Sequence, residues 1–255
     1  MPISRDELER RIAAVPIWYH TLELADGVVT PGYFDMRPFV REFRFPASMA
    51  GMKVVDVGAS NGQFAFHFER LGADVVAIDL QHVLDHDFPV WYRAELRDRH
   101  SAAELERIDH DELEAGFALA HEAYGSAVEK RRCTVYELGD RMPGEFDLAY
   151  CCNLVQHLSD PVRALESIRR CLKPSGRFVF GCSCELSVEN VSYGIFQGTI
   201  EPHITYWVPS RDAAERLCRL AGFVDVEWFG SFRFAPVPHP ERIGTLGVLH
   251  ARNRA

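Results

Sequence analysis

Lys53-Val54-Val55-Asp56-Val57-Gly58-Ala59-Ser60-Asn61-Gly62-Gln63-Phe64-Ala65-Phe66-His67-Phe68 is the stretch that decides the fold. A β-branched run of strand length passes into a glycine-bearing turn, and an amphipathic helical pattern follows. Gly58 removes the Cβ that would block a ligand lying over the strand end, and Gly62 lets the helix begin close to the sheet. Outward from this unit the same rhythm recurs. Short buried runs at 75–78, 146–150 and 178–180 alternate with helices, and closing strands are expected at about 224–229 and 245–250. Such alternation predicts an α/β fold with a mostly parallel sheet and helices on both faces.

The helix ends are legible. Asp160 precedes Pro161 at the first helical position, Val162, Leu165, Ile168 and Leu172 mark one face, and Pro174 and Gly176 end the helix. Another helix starts near Ser210, buries Ala214, Leu217, Cys218 and Ala221, and stops at Gly222. The first fifty residues predict a helix over about 5–15, an extended stretch over 18–29 broken at Ala25-Asp26-Gly27, and a second helix over about 33–43 after the turn Thr30-Pro31-Gly32. We read 1–50 as an N-terminal extension or lid and 51–255 as the main domain. That domain carries an acidic helical insertion at about 81–130 and a cover at about 185–208.

Composition narrows the function classes. A chain of 255 residues, 47% hydrophobic and 25% charged, has a globular balance and enough length for a substantial core. Its formal charge of −9 makes a phosphate backbone a poor partner. Residues 81–125 alone hold eleven acidic side chains against four arginines, the pattern of a solvated helical face. The seven cysteines form no C-x-x-C pair and read as reduced, buried thiols. The N-terminus lacks an apolar leader, and no run approaches the ~18 apolar residues of a membrane span, so a cytoplasmic location is expected. No metal is expected either. Asp85-His86-Asp87 and His110-Asp111-Glu112 supply ligand types, but neighbours on a helix do not converge on one ion.

Asp79 stands seventeen residues beyond Gly62, at the end of the next strand. An acid there is placed to accept hydrogen bonds from a ribose diol at the carboxyl edge of the sheet, which makes an adenosine site. A dinucleotide would want G-x-G-x-x-G, whereas 58–62 reads G-x-x-x-G and supplies no second glycine for close approach to a pyrophosphate. A sulfonium-bearing adenosyl donor fits better.

On these motifs the chain resembles the class I S-adenosylmethionine-dependent methyltransferases over roughly 50–255. The resemblance implies a Rossmann-like fold with a seven-stranded sheet, S-adenosylmethionine as cofactor and S-adenosylhomocysteine (SAH) as product. It also implies that Asp56 orders the loop, that the backbone at Gly58 and Ala59 meets the methionyl part, that Asp79 holds the ribose hydroxyls, and that Ser60, Gly62 and Leu80 belong to the same cofactor site. Ser60 stands where many members have a central glycine. Tyr136 and Glu137, following an expected strand at 133–135, match the adenine seat. Cys152 and Asn153 end the strand beside the sulfonium, and Leu172-Lys173-Pro174-Ser175-Gly176 is similar to the turn entering strand five.

More narrowly, 146–161 is similar without a gap to enzymes that modify the 5-oxy group of wobble uridine in tRNA, as are Tyr206-Trp207-Val208-Pro209-Ser210 and 218–223. The carboxymethylating members carry a Tyr before the shared histidine, where this chain has Gln156 before His157, so ordinary S-adenosylmethionine is implied.

Methyl transfer needs alignment, exclusion of water and, for a protonated nucleophile, a base. His157, just after the fourth strand, is the first candidate base; a helix-capping or carbonyl-bonding role is its structural alternative. His20, in the aromatic segment Trp18-Tyr19-His20, belongs to a stretch that could lie over the cofactor with Trp18 against it. His203 lies in the cover. The expected partner is a small-molecule acceptor methylated on O or N. A tRNA-modifying enzyme and a non-catalytic adenosyl-binding scaffold are the alternatives.

Overall fold

The computed structural model describes residues 3–25, 27–188, 190–200 and 204–255. In chain order the elements are α1 (Arg5–Ala14), β1 (Glu23–Ala25), β2 (Val28–Val29), β3 (Lys53–Val57), α2 (Gln63–Arg70), β4 (Asp74–Asp79), α3 (Val90–Arg99), α4 (Ala102–Asp109), α5 (Ala115–Tyr124), β5 (Glu129–Arg132), α6 (Leu138–Arg141), β6 (Phe146–Cys152), α7 (Pro161–Cys171), β7 (Leu172–Ser183), β8 (Gly194–Thr199), β9 (Thr205–Pro209), α8 (Arg211–Leu220), β10 (Val224–Phe234) and β11 (Gly244–Arg252). Seven strands form one sheet in the order β10-β11-β7-β6-β3-β4-β5, and β11 is antiparallel to both its neighbours. The chain builds outward from β3 to β4 and β5, then returns to lay β6 and β7 on the other side. The order therefore reverses at β3 and β6, and the crevice outside their carboxyl ends is where such sheets take ligands.

Successive β3 side chains face opposite cores. Val55 and Val57 join a core beneath α6, α7 and α8, while Val54 joins one beneath α1, α2 and α5. These valines are at most 2% exposed, and burying each is worth about 1.5–3 kcal/mol relative to leaving it in water. The start of α7 is as expected: Asp160 accepts a hydrogen bond from the Arg163 backbone N–H at 3.0 Å, and Pro161 occupies the first turn.

Several local expectations need correction. The strand expected at 133–135 is instead β5, four residues of Glu-Lys-Arg-Arg with no apolar side chain. Among the described residues it is an edge strand paired only to β4, so its register is set by backbone bonding while the buried Cys133 and Val135 mark the exit from the sheet. The helix expected over 33–43 is a 3₁₀ turn over Arg37–Phe43 that contains Pro38 near its start. Upstream, Tyr33 and Phe34 donate their backbone N–H groups to Trp18 and Tyr19 instead. The extended stretch over 18–29 does break where expected, at 25–27, and β1 and β2 pair antiparallel on either side of it. Closing strands β10 and β11 are longer than expected because they pair with each other over most of their length. The cover contains a separate two-stranded hairpin, β8–β9. The first fifty residues share the core of α2 and α5 through Leu8, Ile12, Trp18, Leu22, Leu24 and Phe43.

Candidate active site

The loop after β3 turns by left-handed residues. Gly58, Ser60 and Gly62 have φ of 80°, 50° and 84°. Only Ser60 bears a Cβ in this conformation, at a cost of roughly 1–2 kcal/mol. The Asp79 carboxylate holds it there, accepting from the Ser60 N–H at 2.9 Å with one oxygen and from the Leu80 N–H at 2.9 Å with the other. Asp79 thus organises the loop. Each carboxylate oxygen retains a further lone pair, which a diol could use. The backbone N–H groups of Gly58 and Ala59 both donate to the Ile78 carbonyl, at 2.9 and 3.0 Å.

The glycines differ in what surrounds them. A Cβ on Gly58 would meet nothing nearer than the Leu154 methyls at 3.8 Å, whereas one on Gly62 would lie 2.5 Å from Phe66 and 2.9 Å from Phe117. Gly62 is required by packing; the space over Gly58 is open. Beneath the loop Asp56 is buried, and burial pushes its carboxyl up to about 8, opposed by the Ala65 N–H in the first turn of α2 and reinforced by Asp79.

Asn61, which sequence reasoning passed over, fastens the N-terminal segment to the loop. Its carboxamide oxygen accepts from the backbone N–H groups of both Tyr19 and His20. Its amide nitrogen lies against Gly116 in α5, where a Cβ would come within 2.2 Å. A glycine within the apolar first half of α5 was the sequence signal for this contact. Trp18 is a packing residue: it is 4% exposed and its indole N–H donates to the Ile12 carbonyl at 3.2 Å. Tyr19 lies near Cys152 at the end of β6, and burial together with that thiol and Tyr33 raises its hydroxyl above the ordinary range. The Nδ1 of His20 is buried without a hydrogen-bond partner among the described residues, and burial lowers its imidazole to about 4. It is therefore neutral at physiological pH, a hydrogen-bonding group and a weak proton acceptor.

At the end of β6, Cys152 is partly exposed and its thiol is pushed up to about 12 by burial. Asn153 adopts φ 50°, donates its N–H to Gly181 and accepts from the Ser183 hydroxyl at 3.0 Å. His157 follows in a 3₁₀ turn over Val155–His157, and its Nδ1 bonds the Ile204 carbonyl. A carbonyl only accepts, so this nitrogen carries the proton and the imidazole lone pair resides on Nε2. Beside it the Gln156 carbonyl oxygen is buried without a partner among the described residues, as is that of Gln63 at the start of α2. His203 lies outside the described residues.

Tyr136 donates its hydroxyl to Asp87 at 2.6 Å, and the Arg163 guanidinium lies 5.2 Å from its ring centroid. Glu137 is engaged locally by the Thr134 N–H and hydroxyl and by Arg141. Behind Asp79 stand two cations that the sequence reading left out. Arg132 donates to the Leu80 carbonyl at 2.8 Å, and Lys130, brought down to about 8 by burial, feels the Asp79 charge. Both also donate to the Leu113 carbonyl, in a π-helical turn over His110–Glu114.

A methyltransferase-domain family model matches residues 35–227. The chain belongs to the methyltransferase-domain family. Ubiquinone biosynthesis O-methyltransferases are similar to it: that of Pseudomonas aeruginosa strain UCBPP-PA14 is 27% identical over 51% of this chain and 44% of its own, and that of Ralstonia nicotianae is 29% identical over 52% and 44%. The match thus spans less than half the length of these relatives. Among solved structures, the N-terminal domain of EvdMO1, crystallised in the presence of SAH and D-fucose, has a TM-score of 0.65 at 18% identity, covering 99% of this chain and 98% of that one. The Burkholderia thailandensis 1,6-didemethyltoxoflavin-N1-methyltransferase, bound to 1,6-didemethyltoxoflavin and SAH, scores 0.51 at 22% identity over 87% and 82%. This methyltransferase domain has the class I fold, and its class uses S-adenosylmethionine. Its residues fit that donor: among the described residues the space over Gly58 is open, Asp79 retains acceptor capacity, and buried polar atoms of His20, Gln63 and Gln156 stand unpartnered on the elements that border the loop.

Proposed function

We propose that this methyltransferase domain methylates an O or N nucleophile of a small molecule, with His157 as general base. The observation that carries the reading is the open, Asp79-braced turn over β3 with the His157 turn following the neighbouring strand β6. When bound, S-adenosylmethionine supplies a methyl carbon already activated by its sulfonium. Gly58 and Ala59 would meet its methionyl part, Asp79 its ribose hydroxyls, and the Tyr136 wall its adenine. Asp56, neutral in much of the population near pH 7, fixes the loop from below without adding a full negative charge. The bond from His157 Nδ1 to Ile204 orients the ring and places the basic lone pair on Nε2, which receives the acceptor's proton as the new bond forms. His20, held neutral by burial, serves as a hydrogen-bonding group to the acceptor or donor rather than as the base.

The relatives that are O-methyltransferases of ubiquinone biosynthesis and the 1,6-didemethyltoxoflavin-N1-methyltransferase support an O or N acceptor. An RNA acceptor is disfavoured by the charge of −9 and by the acidic insertion. Calorimetry with S-adenosylmethionine and SAH tests the donor site: binding that falls at least tenfold in Asp79→Ala supports the proposal, and no binding by the unmodified protein refutes it. His157→Ala, assayed on a panel of phenols and amines, should lose turnover while keeping SAH affinity.

A further inference from the structure

Asp87 lies in the acidic insertion, a stretch whose charges otherwise read as a solvated face. Its Oδ2 instead receives three donors: the Tyr136 hydroxyl at 2.6 Å, the Ser159 N–H at 2.7 Å and the Ser159 hydroxyl at 2.8 Å. Its backbone carbonyl receives the Tyr206 hydroxyl, on strand β9 of the cover, at 2.7 Å. Arg93 of α3 clamps the same turn by donating to the His86 carbonyl at 3.1 Å. Charge-assisted bonds of this kind are the strong ones, and a carboxylate that gathers donors from separate segments fixes them relative to one another.

The contacts close a ring. His157 is bonded to Ile204; Tyr206, two residues along the cover, is bonded to Asp87; and Asp87 is bonded to Ser159, two residues beyond His157. The 157–159 turn is thus tied to the cover directly at His157 and, through Asp87, at Ser159. Tyr136, at the expected adenine wall, enters the ring through the same carboxylate oxygen. We infer that Asp87 is a positioning residue that links occupancy of the adenosyl site to the orientation of His157 beneath the cover. This rests on the function proposed above. The sequence offered Asp87 only as a metal-ligand type, because the three segments that bond it, carrying Tyr136, Ser159 and Tyr206, are brought together by the fold.

Two variants separate the parts of the ring. Asp87→Ala releases Tyr136 and Ser159 but keeps the backbone carbonyl for Tyr206; Tyr206→Phe cuts only the cover. The readout is the solvent exchange rate of the His157 Nδ1 proton in protein labelled with 15N-histidine, its signal assigned by loss in His157→Gln, together with SAH affinity by calorimetry. Both variants should speed that exchange at least tenfold. Tyr206→Phe should keep SAH affinity within twofold, whereas Asp87→Ala should weaken it at least fivefold, and Asp87→Asn, which retains an acceptor oxygen, should recover part of the loss. Exchange unchanged within twofold in both variants overturns the inference while SAH binding stands. Equal losses of SAH affinity in the two variants overturn it as well, since the cover would then act on the donor directly. Absence of SAH binding in the unmodified protein marks failure of the donor site instead.

Discussion

Asn61 and Gly116 form a contact whose two halves predict opposite signs for the same substitution. Asn61→Ala leaves the Tyr19 and His20 N–H groups without their acceptor. A buried donor deprived of its partner costs about 1–3 kcal/mol, so the pair costs on the order of 3 kcal/mol once some relief by water is allowed. At roughly 2–4 °C per kcal/mol for a chain of this size, the midpoint of thermal unfolding should fall by about 6–12 °C. Gly116→Ala should act through the same contact, because its Cβ would stand 2.2 Å from the Asn61 amide nitrogen and 3.1 Å from its Cγ, expelling the carboxamide. With Asn61 already replaced, the nearest remaining neighbour is Trp18 at 3.4 Å, an ordinary contact. The better helix propensity of alanine then shows, at up to about 1 kcal/mol. Gly116→Ala should therefore destabilise the natural protein and be neutral or stabilising in the Asn61→Ala background. Urea unfolding of the four proteins of the cycle measures this. Equal cost in both backgrounds would refute the claim that Asn61 is what Gly116 makes room for.

The two loop glycines should part company: Gly62→Ala should lose several kcal/mol of stability, since φ 84° and ring contacts at 2.5–2.9 Å act together. Gly58→Ala should fold with a loss of only about 1–2 kcal/mol yet bind SAH at least tenfold more weakly by calorimetry. Unimpaired SAH binding in that variant would remove the donor from this loop. Stability should also carry two opposed pH dependences. His20 falls from 6.5 to about 4 on folding, so the unfolded chain binds the extra proton and stability declines as pH drops from about 6.5 towards 4, by at most about 3 kcal/mol. Asp56 rises from 3.8 to about 8, so the folded chain holds the extra proton and stability declines as pH climbs from about 4 through 8. Between about pH 4 and 6.5 the two dependences offset one another, so in urea titrations from pH 4.5 to 8.5 His20→Gln should leave stability falling with pH across that window, and Asp56→Asn should leave it rising there and flat above it; slopes untouched by either variant would sink both assignments.

The sheet and its crevice were legible in the sequence because a parallel strand buried on both faces writes itself as an apolar run, and the glycine turn and acid after two such runs write the ligand edge. The strand β5 was misplaced because an edge strand made of Glu-Lys-Arg-Arg carries no apolar signature; backbone pairing to β4 and the carbonyl freed at the π-helical turn stabilise it instead. His157 was recognised as a chemical group by its place after β6, but its proton position depends on Ile204, forty-seven residues on. The same holds for the single oxygen of Asp87 that gathers Tyr136 and Ser159, and for the oxygen of Asn61 that gathers Tyr19 and His20. Local spacing determined which residues could form strands, turns and caps, since those forces act over a few positions of the chain. Which donor meets which acceptor across the crevice was decided by the tertiary structure alone, because hydrogen bonds act at about 3 Å in space and are indifferent to distance along the sequence.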